Sequence, residues 1–515
     1  MEETESFDEK PVKRVKDKKR IAVCSNSLGR EGRTLIRGQV VDMGIADITK
    51  ADGFWDLMTG LMQGQENEIT PFLDFSLAPV RKPILTIEVL NEKQKKVFES
   101  PEFVGDNDGF FSYELVSKLK SGVYTFYVTF KGSDSYRQYT KDVAYLNIKE
   151  DSEIRKITTV GKGKLRVLSE KYNSYIITSD IDQTYLATQL GSKSGLLSAI
   201  FETPAEKIPL PGMPVLYNLL RKDTKESPLS FISASPHYFR RSIAMTIKLH
   251  GIEYESLYLK YLDGTVKGVV DKITHSIFNL NELLSEGVDV ALDRAKKFFG
   301  ATFQSLFDQL SYKLSTLLGA RIYQPTKAKE ILLGDNTESD YLIFSLYQII
   351  LLGLIKGKEL EDYLYNLNFL GRDAVTRDYA KKICRLQDEN IAIHGKVNSV
   401  HSVFINMTNL GPMSFEMEQN ILKAMPKNLD IKSIKEFKMY VPTEGALGFA
   451  TNLTGLGVLE FDSLLEITKD LTGKWLNGKV LDEKYLVSLT RNLSVVSKAE
   501  KTRQELYDIV KTALA

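Results

Sequence analysis

The sequence predicts a multidomain α/β protein. A β-sandwich-like domain is expected over 21–150, a parallel sheet with crossover helices over 165–408, and a mostly helical region over 409–515. Three observations predict it. The 515 residues ask for two to four domains at roughly 150 residues each. Short β-branched and aromatic runs punctuated by turn signals fill the region before residue 150. From about residue 165, short apolar runs ending in polar residues alternate with long helical stretches, the mark of strands joined by crossover helices.

Taken in order, residues 1–20 (MEETESFDEKPVKRVKDKKR) read as a charged, disordered tail. ILTIEVL (84–90) and VYTFYVTF (123–130) read as strands, with GDNDG (105–109), KSG (120–122) and KGSD (131–134) as turns. SYIITSD (174–180), PLSFISAS (228–235), KEILLGD (329–335) and VHSVFINMT (400–408) read as the parallel strands. MPVLYNLLRK (213–222) and the Phe299–Leu318 region lie between them as helices. Past 408, FDSLLEITKDL (461–471) and ELYDIVKTAL (505–514) have helical periodicity. EGALGFATNLTGLG (444–457) lacks phosphate-loop spacing and reads as a loop. In 491–515, Leu493, Val496, Leu506, Ile509 and Val510 fit an amphipathic core helix, with lipid docking as the alternative.

Composition narrows the function classes. The chain is 43% hydrophobic and 26% charged, as soluble globular proteins are. With 68 basic against 67 acidic residues, neither a whole-chain polycation for nucleic acid nor an acidic disordered chain is expected. Two cysteines, Cys24 and Cys384, make no disulfide framework and no CxxC zinc pair. No apolar signal segment follows the first residues. The best membrane candidate, Tyr341 to Ile355, has 15 uncharged residues where a span needs about 20, so it reads as a buried helix. A cytoplasmic protein, peripheral at membranes if it meets them, is the expectation.

In parallel sheets ligands sit beyond the carboxyl ends of the strands, so the polar run ends are where chemistry is sought. After YIIT comes Ser179-Asp180-Ile181-Asp182-Gln183-Thr184. Two Asp at i and i+2 leaving a strand can face one site, and their repulsion favours a shared cation or proton. Mg²⁺ prefers such oxygen ligands. The alternative is an ordinary polar turn. Gly334-Asp335-Asn336-Thr337-Glu338-Ser339-Asp340 gives a second carboxylate pair, Ser233 and Ser235 end a third strand, and Lys313 precedes Asp335 by 22 residues. Lys313, not Lys327 or Lys329, is the expected phosphate lysine, because the latter two precede ILL at the amino end of its strand.

In this order the pieces resemble the four motifs of the haloacid-dehalogenase (HAD) phosphatase superfamily. They are most similar to the phosphatidate phosphatase branch typified by the yeast actin-patch protein, with the lipins more distant. SDIDQT, Thr188, PLPGMPVLYNLL (209–220), FISASP (231–236) and GDNTESD (334–340) carry the resemblance, which covers about 165–408. It implies a HAD-like Rossmannoid sheet and a Mg²⁺-dependent phosphatase that turns phosphatidate into diacylglycerol and phosphate. It implies Asp180 as nucleophile forming an aspartyl-phosphate, and Asp182 as general acid, then base. Thr184, Ser233 and Lys313 complete the implied catalytic set. The implied metal set is Asp180, Asp182 through its backbone carbonyl, Asp335 and Asp340. Gln183 stands where the family usually has Asp or Gly, and His237 where it often has Trp. His237 reads as structural, and the remaining histidines lack metal spacing. No GxSxG elbow supports a serine hydrolase. Hydrolysis of a soluble phosphomonoester and non-catalytic sensing of phosphatidate are the rival readings.

Overall fold

The computed structural model describes residues 19–43, 78–116, 119–133, 159–188, 202–261, 309–367, 375–427 and 429–479, with a few short stretches after them. The expected tail of 1–20 and the helix-like stretch 491–515 fall almost wholly outside the described residues.

The first strands are β1 (Lys19–Cys24), β2 (Ser27–Arg30), β3 (Thr34–Met43), β4 (Ala78–Pro79), β5 (Pro83–Leu90), β6 (Lys96–Glu99), β7 (Phe103–Val104), β8 (Phe110–Leu115), β9 (Gly122–Ser133) and β10 (Thr159–Leu168). β1, β3, β4 and β8 form one antiparallel sheet. A second runs β2-β10-β9-β5-β6, with β7 also on β5. Side chains alternate across a strand, so each sheet has an apolar face, and the two faces share one core. Ile36, Val40 and Phe111 of the first sheet bury with Leu85, Ile87, Phe126 and Leu165 of the second. β10 lies past residue 150, and its sequence, TVGKGKLRVL, hides it. Its glycines serve close approach: a Cβ on Gly163 would stand 2.4 Å from the Phe126 ring.

The third sheet is wholly parallel. Its strands are β11 (Tyr175–Asp180), β12 (Leu229–Pro236), β13 (Ser256–Lys260), β14 (Lys329–Asp335), β15 (Val400–Asn406) and β16 (Tyr440–Thr443), in the order β13-β12-β11-β14-β15-β16. The described helices are α1 (Met213–Asp223), α2 (Arg240–Leu249), α3 (Gln309–Arg321), α4 (Asp340–Leu351), α5 (Gly357–Tyr365), α6 (Arg377–His394), α7 (Ser414–Ala424), α8 (Gly445–Gly455) and α9 (Phe461–Asp470). α1, α2, α8 and α9 cover one face, and α3 to α7 the other. Both faces are therefore dry, which is why these strands read as continuous apolar runs rather than alternating ones.

Two further elements depart from the sequence expectation. The sheet runs past residue 408 into β16, a four-residue edge strand containing Pro442, a residue that edges tolerate and that masks a strand in sequence. The stretch expected as a loop at 444–457 is α8, whose Ala446, Leu447, Phe449, Ala450 and Leu453 are buried. Burial there overrides the low helix propensity of its glycines. The uncharged stretch beginning at Tyr341 forms α4, buried at every residue. No helix among the described residues is long and apolar enough to cross a membrane.

Candidate active site

Each sequence-predicted residue sits at the carboxyl end of the parallel sheet or on a helix returning to it. Asp180 ends β11 and is fully buried. Lys313, on α3, is also fully buried, and its Nζ lies 2.7 Å from Asp180 Oδ1, from Glu338 Oε2 and from Asp340 Oδ1. Lys327 and Lys329 stay exposed at the amino end of β14.

The turn after β14 is built around its carboxylates. Asp335 Oδ1 accepts hydrogen bonds from the backbone N–H groups of Thr337 (2.6 Å) and Glu338 (3.1 Å) and from the Thr337 hydroxyl. Asp340 Oδ2 accepts from the Asp335 N–H at 3.3 Å. Gly334 is required here: an added Cβ would lie 2.6 Å from both Cβ and Oδ2 of Asp340. Asn336 ties the turn to the 408–412 loop, accepting from the Thr408 N–H and donating to the Thr408 and Pro412 carbonyls.

The turn after β11 puts Gln183 in the left-handed region, φ +57°. Asn406, at the end of β15, donates to the Gln183 carbonyl at 2.7 Å and accepts from the Gly445 N–H at 2.9 Å. Asp182 turns away from Lys313 toward β12, where its Oδ2 accepts from Ser233 Oγ at 2.9 Å and Ser235 Oγ at 3.3 Å. Thr184 is buried, with its hydroxyl making no protein hydrogen bond. Thr188 is half-buried beyond it. His237 packs edge-on to Phe110 at 4.8 Å between ring centres. Burial, helped by Arg240, pushes its pKa down to about 3, so its ring is neutral.

Asp180, Asp335, Glu338 and Asp340 offer carboxylate oxygens that all lie within 4.8 Å of one another. The Asp182 side chain stands outside this group, and Glu338, absent from the expected ligands, stands inside it. Four acids thus face one ammonium. Burial raises the pKa of Asp180 well above the ordinary carboxylate value; Lys313 opposes this and the neighbouring acids add to it. Asp335 is raised by burial and by Asp340 and Glu338, Asp340 by burial against the pull of Lys313, and Asp182 by burial and Glu338. Burial works against the Lys313 cation, yet Asp180, Asp340, Glu338 and Asp335 together hold it protonated.

The group fits a divalent cation. All four donors are hard oxygens, the kind Mg²⁺ takes. Asp180 Oδ2 and Asp335 Oδ2 are buried without a protein hydrogen bond, an arrangement that costs free energy unless a cation or proton completes it.

Residues 175–287 match the family model for phosphatidate phosphatase APP1, catalytic domain. This segment belongs to that family. The APP1-type segment contains Asp180, Asp182, Thr184, Thr188, Ser233 and Ser235; Lys313, Asp335 and Asp340 lie beyond it. Its proline–glycine–methionine run has a packing reason: Gly212 takes φ +77°, and a Cβ there would meet Ala446 Cβ at 2.9 Å. No curated protein matches the chain. Among solved structures, the CARDB domain of the PF1109 protein in complex with di-metal ions, from Pyrococcus furiosus, is 7% identical, covering 32% of this chain and 100% of that one, with a TM-score of 0.15. XAC1771, a carbohydrate acetylesterase from Xanthomonas citri, is 8% identical, covering 77% and 72%, with a TM-score of 0.19. Likenesses this low bear on neither fold nor site.

Sequence reasoning missed Glu338, Asn336, Asn406 and Lys207. Glu338 lay within GDNTESD, but nothing distinguished it from Ser339. The two asparagines act through backbone groups remote in sequence. Lys207 is buried, 3.3 Å from Glu202 Oε2. Burial lowers its pKa, while Glu202 and Asp182 pull it back.

Proposed function

We propose that the chain is a Mg²⁺-dependent phosphatidate phosphatase-like phosphomonoesterase with a HAD-like Rossmannoid catalytic domain. The observation that carries this reading is the pairing of a buried Asp180, 2.7 Å from Lys313, with an adjacent buried Asp182 held by Ser233 and Ser235, in a segment of the APP1 family. The catalytic domain would span 165–408 together with β16, with the preceding β domain and the C-terminal helices as its surroundings.

Asp180, as carboxylate, attacks phosphorus while the bond from phosphorus to the glycerol oxygen breaks. The Asp182 carboxyl gives its proton to that oxygen, releasing diacylglycerol and leaving an aspartyl-phosphate. Asp182, now a carboxylate, takes a proton from water; the resulting attack on phosphorus releases phosphate and restores Asp180. The raised pKa of Asp182 suits the acid role, since a proton donor must be protonated near the working pH. Ser233 holds Asp182 through its hydroxyl, and Lys313 offsets the charge of the phosphoryl oxygens. Asp180, Asp335, Asp340 and Glu338 would hold Mg²⁺, which when bound supplies charge neutralisation at the phosphoryl oxygens.

The test is phosphate release from phosphatidate in mixed micelles and from short soluble phosphoesters, each with and without Mg²⁺. The reading expects Mg²⁺-dependent release from both, with higher kcat/KM on phosphatidate because acyl-chain contacts supply remote binding energy. Equal or faster hydrolysis of the soluble esters would transfer the reading to a soluble substrate. Binding of phosphatidate without release under any divalent cation would make the protein a sensor.

A further inference from the structure

Between the β domain and the β13 edge of the parallel sheet lies a cavity of about 630 Å³, lined by none of Asp180, Asp182, Lys313, Asp335, Glu338 or Asp340. Its volume is that of small-molecule sites. Tyr258, Tyr261, Tyr312 and Tyr323 line it, and so does Arg37 of β3. The Arg37 guanidinium lies 4.9 Å over the Tyr258 ring, and among the described residues it has no carboxylate partner. The acids on the same wall are already engaged. Glu389 pairs with Arg33 at 2.6 Å, and Asp106 Oδ1 accepts from the N–H groups of Asp108 and Phe110 within its own turn. A second guanidinium, Arg240, donates among the described residues to neutral oxygens, Ser25 Oγ at 2.7 Å and the Leu257 carbonyl at 2.8 Å.

A half-buried guanidinium that lines a cavity without a carboxylate partner leaves its N–H groups available to an anion. Its planar fork matches phosphate and carboxylate oxygens two at a time, and its face stacks on aromatic rings. Tyrosines around it favour a flat apolar body beside the charge. We propose that this cavity binds a small oxyanion, phosphate or carboxylate, carried on a flat ring, with Arg37 as its receptor and the tyrosines as walls. The site shares no lining residue with the proposed catalytic set.

The experiment titrates the full chain in EDTA with phenylphosphonate, whose carbon–phosphorus bond is no phosphomonoester, by calorimetry. Arg37→Gln should weaken saturable binding by at least about 10-fold, the share of one charge-assisted contact, with an unchanged or higher Tm because an uncompensated charge is removed. Gly319→Leu gives a second route. Gly319 lines the cavity from α3, and a Cβ there meets only Leu386 Cδ2, at 4.0 Å. The leucine should fill the cavity, abolish binding and leave the helix intact. Unchanged affinity in both variants, or no saturation by the wild-type chain, would overturn the site. Inorganic phosphate binding as tightly as phenylphosphonate would overturn the ring.

Discussion

At the residue scale the proposed chemistry rests on Asp180 and its neighbour two positions on, Asp182. Asp180→Asn keeps the shape but loses the proposed nucleophile and one of four clustered charges. Turnover should fall to background while Tm in EDTA holds or rises; wild-type-like turnover in the purified variant would end the aspartyl-phosphate reading. Asp182→Asn should lose about 10²–10⁴-fold. If Asp182 gives the proton, wild-type kcat should decline as pH rises through its elevated pKa, and Asp182→Asn should flatten that limb. Gln183 makes a separate prediction. Its φ of +57° costs an L-residue roughly 1–2 kcal/mol, and glycine adopts it freely. The Asp or Gly usual in the family at this position therefore has a backbone reason. Gln183→Gly should raise stability by about 0.5–1 kcal/mol in urea unfolding; a loss would mean that the Gln183 side-chain bond to the Thr188 carbonyl outweighs the strain. The placement of residues that end apolar strands, such as Asp180, Ser233 and Asp335, was legible in sequence. Asn336 and Asn406 were not, because what they do depends on which distant backbone group arrives beside them.

At the element scale, the turn from β14 into α4 owes its geometry to Gly334. Gly334→Ala would force a methyl to within 2.6 Å of the Asp340 carboxylate. An overpacked site of this kind costs about 1–3 kcal/mol, and the displaced Asp340 should weaken Mg²⁺ binding as well. A calorimetric titration with unchanged Mg²⁺ affinity would remove Asp340 from the ligand set. The strands that end in chemistry were readable because their apolar runs are unbroken. β10 and β16 were not, since close approach in one and an edge position in the other select glycine and proline, the residues that otherwise mark turns. α8 was missed for a related reason: its small residues are there to fit against β15, β16 and α1, and packing leaves no helical signature in composition.

At the scale of the whole molecule, the carboxylate cluster links stability to both pH and metal. The raised pKa values of Asp180, Asp335 and Asp340 mean that the folded chain holds protons more tightly than the unfolded one. Their contribution is complete below the unfolded carboxylate value near 3.8 and is lost as pH rises through the raised values. At one fixed concentration Mg²⁺ should therefore raise Tm more at pH 8 than at pH 5, where protons compete for the acids; at 100 times its Kd the stabilisation is about 2.7 kcal/mol. An equal shift at both pH values in differential scanning fluorimetry would separate metal binding from these acids.

The strand order of the parallel sheet also sets a timetable. β11 sits in the middle, yet one of its two partners, β14, begins at Lys329, and Lys313 comes from a helix that also follows far along the chain. At a synthesis rate of about 5–20 residues per second, β11 leaves the ribosome roughly 7 to 30 s before β14 can pair with it. Pairings this distant also slow folding in free solution. The strand that ends in Asp180 must wait with one edge open, and Asp180 meets its lysine only after α3, more than 120 residues later, has been made. Refolding should regain secondary structure first and phosphate release late, and a chain interrupted before residue 313 would carry the aspartates with nothing yet to neutralise them.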